Sequence, residues 1–182
     1  HIEYGNGKYR KSPSAFDGFQ NKRVLKIIYT CMLNAREANE NDITLYYKWA
    51  NDPDVRSQSY KQSSIALKEH KSWFIAKLVS KKTSLIIIEK EKVPIGQTRF
   101  DAGKEAVVIS FSIDKDWRGK GLGEPLLRKG IATYKKLYPD SKKLVGYVKK
   151  NNISSSKIFF SIGFKELKPV TQNNSYKYIL EN

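Results

Sequence analysis

The residues with the most chemistry in them lie between 110 and 123: Ser110-Phe111-Ser112-Ile113-Asp114-Lys115-Asp116-Trp117-Arg118-Gly119-Lys120-Gly121-Leu122-Gly123. A β-type run ends near Asp114, and a helix-type stripe of Leu122, Leu126, Leu127, Ile131 and Tyr134 follows it. The first turn of a helix has backbone N–H groups without partners, at the positive end of the helix dipole. Gly119, Gly121 and Gly123 take away side chains that would hold an anion off that backbone, and Arg118 and Lys120 add charge at the same place. The junction is therefore expected to cradle a phosphate or diphosphate. A plain loop before a helix start is the competing reading. A nucleotide P-loop is excluded, because it needs Gly-Lys-Ser or Gly-Lys-Thr. The dinucleotide fingerprint is excluded too, since its Gly-x-Gly-x-x-Gly spacing is not met.

Other reactive side chains are few. His70 is the only internal histidine and has the intrinsic pKa of a general base, with a structural place on an amphipathic helix as the alternative. Asp101 and Glu105 flank a turn between two strands and are candidates to order a water. The single cysteine, Cys31, sits in an apolar run and reads as a buried structural thiol. With His1 and His70 the only histidines and no Cys/His cluster, no metal is expected.

The elements that must position these residues follow from periodicity. Residues 1–13 read as an irregular arm and 14–30 as a short helix or strand with a turn at Asp17-Gly18. Leu33–Glu37 is a strand. Asn41-Asp42 caps a helix through Ala50, stopped by Asn51-Asp52-Pro53. A second helix is expected from Ala66 to about Leu78. Leu85–Glu89, Pro94–Phe100 and Ala106–Asp114 form an antiparallel meander. The Leu122 helix ends by Pro139, Leu144–Val148 is a strand, and Ile153–Ile162 is a helix closed by Gly163. Phe164–Leu167 and Tyr176–Leu180 are final strands. The order implies an α/β (α+β) fold with a mixed central sheet of about six to seven strands, helices on both faces, and the parallel joint between the strands on either side of the Leu122 helix. An arm over 1–32 precedes a domain over 33–182.

Arg118, Gly121 and Gly123 resemble the motif of the GNAT acetyltransferases: Arg or Gln, two residues, Gly, one residue, Gly or Ala. Asn152, Ser155, Phe159, Gly163 and Phe164 resemble the second signature of that family, at the expected separation. The resemblance implies the GNAT fold, acetyl-CoA as cosubstrate and transfer of acetyl to an amine. It further implies that the pyrophosphate lies on Arg118, Gly119, Lys120, Gly121, Leu122 and Gly123. Asn152, Ser155 and Phe159 would contact the cofactor, and the Ile113 backbone N–H would polarise the thioester. Many family members carry Tyr where this chain has Phe159, so no phenol is expected there. Residues 49–56 and 69–74 are similar to a branch acting on ribosomal-protein termini, polyamines or nucleotide-linked amino sugars. Residues 94–101 resemble sugar-nucleotide enzymes of pseudaminic acid-type biosynthesis, and 15–24 resemble the end of that pathway's hydrolase, which implies an upstream hydrolase domain. Arg56, Ser57 and Tyr60 then fall where the acceptor binds, and Arg56 suits a phosphate or carboxylate, with a surface salt bridge as the alternative.

Composition bounds the rest. The chain has 182 residues, with 40% apolar and 12% aromatic, enough for a packed domain. Lys and Arg number 34 against 18 Asp and Glu, a net charge of +16, which favours anionic ligands or reflects a solvated Lys-rich surface. Three partners stay open. The first is a nucleotide-linked amino sugar. The second is a protein N-terminus or polyamine, although a polyamine would want an acidic pocket. The third is a nucleic acid bound without catalysis, for which no motif is present. No apolar run reaches the roughly 20 residues needed to span a bilayer, and a cytoplasmic monomer or homodimer is expected.

Overall fold

The computed structural model describes residues 32–167 and 174–181. The expected arm, the helix or strand over 14–30, Cys31 and the hydrolase-like stretch 15–24 lie outside these residues. The described chain runs β1 (Leu33–Glu37), a 3-10 turn (Glu40–Asp42), α1 (Ile43–Ala50), α2 (Pro53–Gln58), α3 (Leu67–Leu78), β2 (Thr83–Lys90), β3 (Val93–Ala102) and β4 (Val107–Ile113). A second 3-10 turn (Lys115–Trp117) leads to α4 (Gly123–Leu137), β5 (Leu144–Lys149), α5 (Ile153–Ile162), β6 (Lys165–Leu167) and β7 (Ser175–Leu180).

Seven strands form one sheet in the order β1-β2-β3-β4-β5-β7-β6. All neighbours are antiparallel except β4 and β5, which are parallel, as expected for strands joined through a helix. That parallel joint is short. It pairs Val107 with Leu144, Val108 with Val145 and Ile109 with Gly146, and then stops. Both strands continue, β4 to Ile113 and β5 to Lys149, so beyond Ile109 and Gly146 the sheet is parted.

Each face of the sheet carries its own core. One joins Leu122, Leu126, Leu127, Ile131 and Tyr134 of α4 and Phe159 of α5 to Ile86, Ile88, Phe100, Ile109 and Val148. The other joins Tyr46 and Trp49 of α1 and Phe74 of α3 to Leu85 and Ile87. Strand β2 contributes Leu85 and Ile87 to one core and Ile86 and Ile88 to the other. Burial on both sides is why the middle of β2, Leu85 to Ile88, is an unbroken apolar run.

Two readings of the first helical region are corrected. The cap is Asn39, whose side chain accepts from the Asn41 N–H while Asp42 reaches back to the Asn39 N–H, so the residues after it wind as a 3-10 turn before α1. Pro53 does not only stop α1. It is the first residue of α2, with Asp52 as N-cap accepting from the Asp54 and Val55 N–H groups. A proline is pre-organised for that position, and Asp-Pro is a helix-start signal.

Candidate functional site

A cavity of about 1300 Å³ is built around the parted end of β4 and β5. Strand alternation assigns its walls. On one face lie Ile109, Phe111 and Ile113 of β4 with Leu122, Gly123, Ile158 and Phe159. On the other lie Gln97 and Arg99 of β3, Ser110 and Ser112 of β4, Tyr147 and Lys149 of β5, and Tyr46, Trp49, His70 and Trp73 of α1 and α3. The cavity therefore passes through the sheet at the gap.

The gap offers backbone donors. The Asp114 N–H donates to the Ile95 carbonyl at 2.9 Å, and Gly103 N–H to Ala106 O at 2.9 Å, so even-numbered β4 residues face β3. Antiparallel pairing alternates, which turns the N–H groups of Phe111 and Ile113 away from β3 and toward the space β5 has left. Val107, two alternation steps before Phe111, confirms the direction: its N–H donates across the joint to Lys143 O at 3.0 Å.

The turn over the gap is a backbone cradle. Gly119 has φ +73° and Gly121 φ +72°, the left-handed region that disfavours any side chain. A Cβ at either would meet no atom within 4 Å, so the space in front of the turn is open. Among the described residues nothing accepts from the N–H groups of Gly119 through Gly123. These features fit a diphosphate.

Gly123 has a different reason. A Cβ there would strike Ile158, so this glycine lets α4 and α5 approach closely.

The two cations expected at the cradle are engaged within the protein. Arg118 donates from Nη2 to Asp52 at 2.7 Å, from Nη1 to Asp54 at 2.7 Å and from Nε to the Ile113 carbonyl at 3.1 Å. Its guanidinium ties the start of α2 to the end of β4. Burial works against the Asp52 carboxylate, but the Arg118 guanidinium together with the Val55 and Asp54 N–H groups outweighs it and holds the carboxyl below its usual range. The Lys120 ammonium lies 5.0 Å over the Trp117 ring. The cradle is thus made of main chain, with little side-chain charge.

Asp114, directly after Ile113, forms a second tie. It is buried and accepts from Lys48 Nζ at 2.9 Å and Trp49 Nε1 at 2.8 Å on one oxygen, and from the Asp116 N–H at 3.0 Å on the other. Burial opposes its ionisation. The Lys48, Asp116 and Trp49 bonds outweigh that cost and bring the carboxyl down to about 2.

The remaining expected residues are distributed as follows. Asn152 caps α5, accepting from the Ser155 N–H at 3.1 Å, and both residues line the cavity. Phe159 lines it while 2% exposed, stacked with Tyr178 (5.4 Å between centroids) and edge-on to Phe164 (4.7 Å) and Phe111 (5.9 Å). His70 also lines it, but its ring sits among Tyr47, Trp73 and Phe74, it is 1% exposed, and its Nε2 has no partner among the described residues. Burial pushes the imidazole below its ordinary pKa, against a hydrogen bond with the Ile43 backbone. Arg56 and Tyr60 lie in the roof formed by α2 and the loop after it. Arg56 donates to the Ser63 carbonyl (3.3 Å) and the Ser59 hydroxyl (2.6 Å), and among the described residues it meets no carboxylate. The Tyr60 and Ser175 hydroxyls are 3.4 Å apart.

Asp101 is bound to Lys77 (2.6 Å) and Thr83 (3.0 Å) away from the cavity, so it does not order a water there. Missed from the sequence were Lys48, Asp52, Asp114, Gln97, Tyr147 and Lys149. Only Asp52 carried a local signal, the cap before Pro53.

A through-sheet cavity beside a main-chain anion cradle belongs to an enzyme of group transfer. The sequence profile of the acetyltransferase (GNAT) domain matches residues 33–165, and the chain belongs to that family of acetyltransferases. No curated protein sequence matches it. Among solved structures it is similar to a spermidine N-acetyltransferase from Vibrio cholerae in complex with CoA and spermine, with TM-score 0.72 and 14% identity over 82% of this chain and 94% of that one. It is also similar to a ribosomal L7/L12 alpha-N-protein acetyltransferase in complex with CoA, with TM-score 0.70 and 15% identity over 82% and 94%. A domain from Methanocaldococcus jannaschii gives TM-score 0.71 and 23% identity over 82% and 98%. At these identities the likeness is one of fold. No helix among the described residues is long and apolar enough to cross a membrane, and none of them form a metal-ligating cluster.

Proposed function

We propose that the chain transfers acetyl from acetyl-CoA to a primary amine, and that the amine belongs to a nucleotide-linked amino sugar of surface polysaccharide biosynthesis. The observation that carries the first part is the cavity itself, which joins the cradle at Gly119–Gly123 to a polar chamber on the opposite face through the β4–β5 gap. The pyrophosphate would rest on the free N–H groups of the cradle. The pantetheine arm would take the edge that β5 has left, and the Ile113 N–H would polarise the thioester carbonyl. Holding the amine against that carbonyl supplies much of the acceleration. The neutral, buried His70 serves the chamber as an aromatic wall.

The acceptor class rests on charge. Arg56 and Lys149 line the chamber side and meet no carboxylate among the described residues, which suits a diphosphate. The similar solved structures include a spermidine N-acetyltransferase with spermine, an aminoglycoside acetyltransferase and a ribosomal L7/L12 alpha-N-protein acetyltransferase. A polyamine would favour carboxylates. Asp54 in the wall is paired with Arg118, and Glu124 with Arg128, which leaves Glu69.

The test is calorimetric titration of acetyl-CoA into the wild type and a Gly121→Trp variant. Saturable binding that weakens at least about a hundredfold in the variant supports the cradle. Nucleotide amino sugars are then screened for thiol release. Absence of binding at millimolar acetyl-CoA sinks the assignment.

A further inference from the structure

The transfer leaves a thiolate, and the position where many relatives carry a phenol holds Phe159. The structure shows why a hydroxyl has no room there. A Cβ placed on Gly146 would collide with the Cζ and Cε1 atoms of Phe159, so the tip of the ring is seated on the β5 backbone at Gly146. A hydroxyl on Cζ would extend from that tip into the strand. The ring is also closed in by Phe164, Tyr178 and Phe111.

The next residue along β5 faces the other way. Gly146 is the last β5 residue paired with β4, opposite Ile109, and its open side takes Phe159. Strand alternation therefore sends Tyr147 to the opposite face, at the first position beyond the joint and level with Ser110. Both side chains line the cavity there. Tyr147 is 43% exposed, in a strand whose residues 144–146 and 148 are buried. Among the described residues its hydroxyl makes no hydrogen bond.

Among the described residues, two other tyrosines line the cavity. The Tyr46 hydroxyl is enclosed beside Trp49 and Phe74, and burial pushes it strongly away from ionisation. Tyr60 reaches across the roof to Ser175. Tyr147 alone of the three stands on a strand bordering the gap.

We infer that Tyr147 is the proton donor to the leaving sulfur, a catalytic residue on the strand rather than on the helix. The inference rests on the acetyl-CoA reading of the cavity. The amine nitrogen forms its bond to the thioester carbon, and the C–S bond breaks with its electron pair going to sulfur. The Tyr147 hydroxyl donates its proton to that sulfur, giving the free thiol. The proton lost from the amine goes to solvent, and solvent returns one to the phenolate.

CoA alone is enough to test this. The thiolate absorbance of bound CoA is titrated against pH in the wild type, Tyr147→Phe and Tyr60→Phe, with the desulfo-CoA complex subtracted to remove tyrosine ionisation. A phenol that donates to the sulfur stabilises the thiolate, so the bound thiol in Tyr147→Phe should titrate about one unit higher, with CoA affinity at neutral pH within about twofold and Tyr60→Phe unchanged. Equal thiol pKa in wild type and Tyr147→Phe, or a shift seen only in Tyr60→Phe, overturns the assignment to Tyr147. If the wild type binds no CoA, the fault lies in the cavity reading itself. The Tyr147→Phe change removes one oxygen from a partly exposed side chain, and its far-UV dichroism and melting temperature confirm the fold.

Discussion

The α4–α5 face of the sheet is joined by shape, and the α1–α3 face by charge. On the first, glycines set the distances. A Cβ at Gly96 would meet Leu126, at Gly123 Ile158, at Gly130 Thr98 and at Gly146 Phe159. On the second, ion pairs and cation–ring contacts span the layers: Lys77 with Asp101 at 2.6 Å, Lys48 with Asp114 at 2.9 Å, and Arg99 over Trp73 at 5.6 Å. On the proposed reading, the glycine-fitted face would receive the acetyl donor, and the polar, ion-paired face would meet the acceptor.

Substitutions should separate the two faces, starting with the largest effect. Gly146→Val forces the Phe159 ring off its seat in a close-packed core, and is expected to lower unfolding free energy by about 3 kcal/mol. Urea denaturation checks this, and a loss near zero would mean the α5 face is looser than its contacts suggest. Asp114→Asn strikes the joint between faces by weakening the buried acceptor of Lys48 and Trp49, at a cost of about 2 kcal/mol at pH 7. The folded Asp114 pKa lies below the unfolded value. Its contribution is therefore present above pH 4 and disappears as pH falls from about 4 toward about 2. The variant should lack that part of the acid dependence in a pH series of melting curves.

Arg118→Ala should cost less, about 1 kcal/mol, because the Asp54 side chain is 83% exposed and that pair is screened. Since the guanidinium is engaged by Asp52 and Asp54 at the start of α2, the acetyl-CoA affinity of this variant should fall less than that of Gly121→Trp. A larger fall in the arginine variant would return Arg118 to the cradle. The smallest effect is expected for His70→Phe, under about 1 kcal/mol at pH 8, since the ring already sits among aromatics. Burial lowers the folded His70 pKa, so the wild type loses stability as pH falls through the imidazole's ordinary value near 6.5. The variant should be flat there.

Legibility followed the same division. The α4–α5 face declared itself locally: a stripe at helical spacing, Gly163 at a C-cap with φ +108°, and a glycine turn whose conformation only glycine adopts readily. The charged face did not, because its partners are far apart in the chain. Lys48 and Asp114 are separated by 66 residues, and Arg118 and Asp54 by 64. No period or motif links such residues until the fold has brought them together. Arg118 shows the limit most plainly: its position in the motif was readable, but the direction of its side chain depended on Asp52 and Asp54. Tyr147 escaped notice for the same reason, since its meaning depends on where β4 and β5 part.

The seat of Phe159 on Gly146 also constrains how this chain can change over generations. A side chain at 146 is excluded while 159 is large, and a smaller residue at 159 leaves a void while 146 is bare, so the two positions can drift only together. Position 147 leaves by the opposite face and is free of that lock.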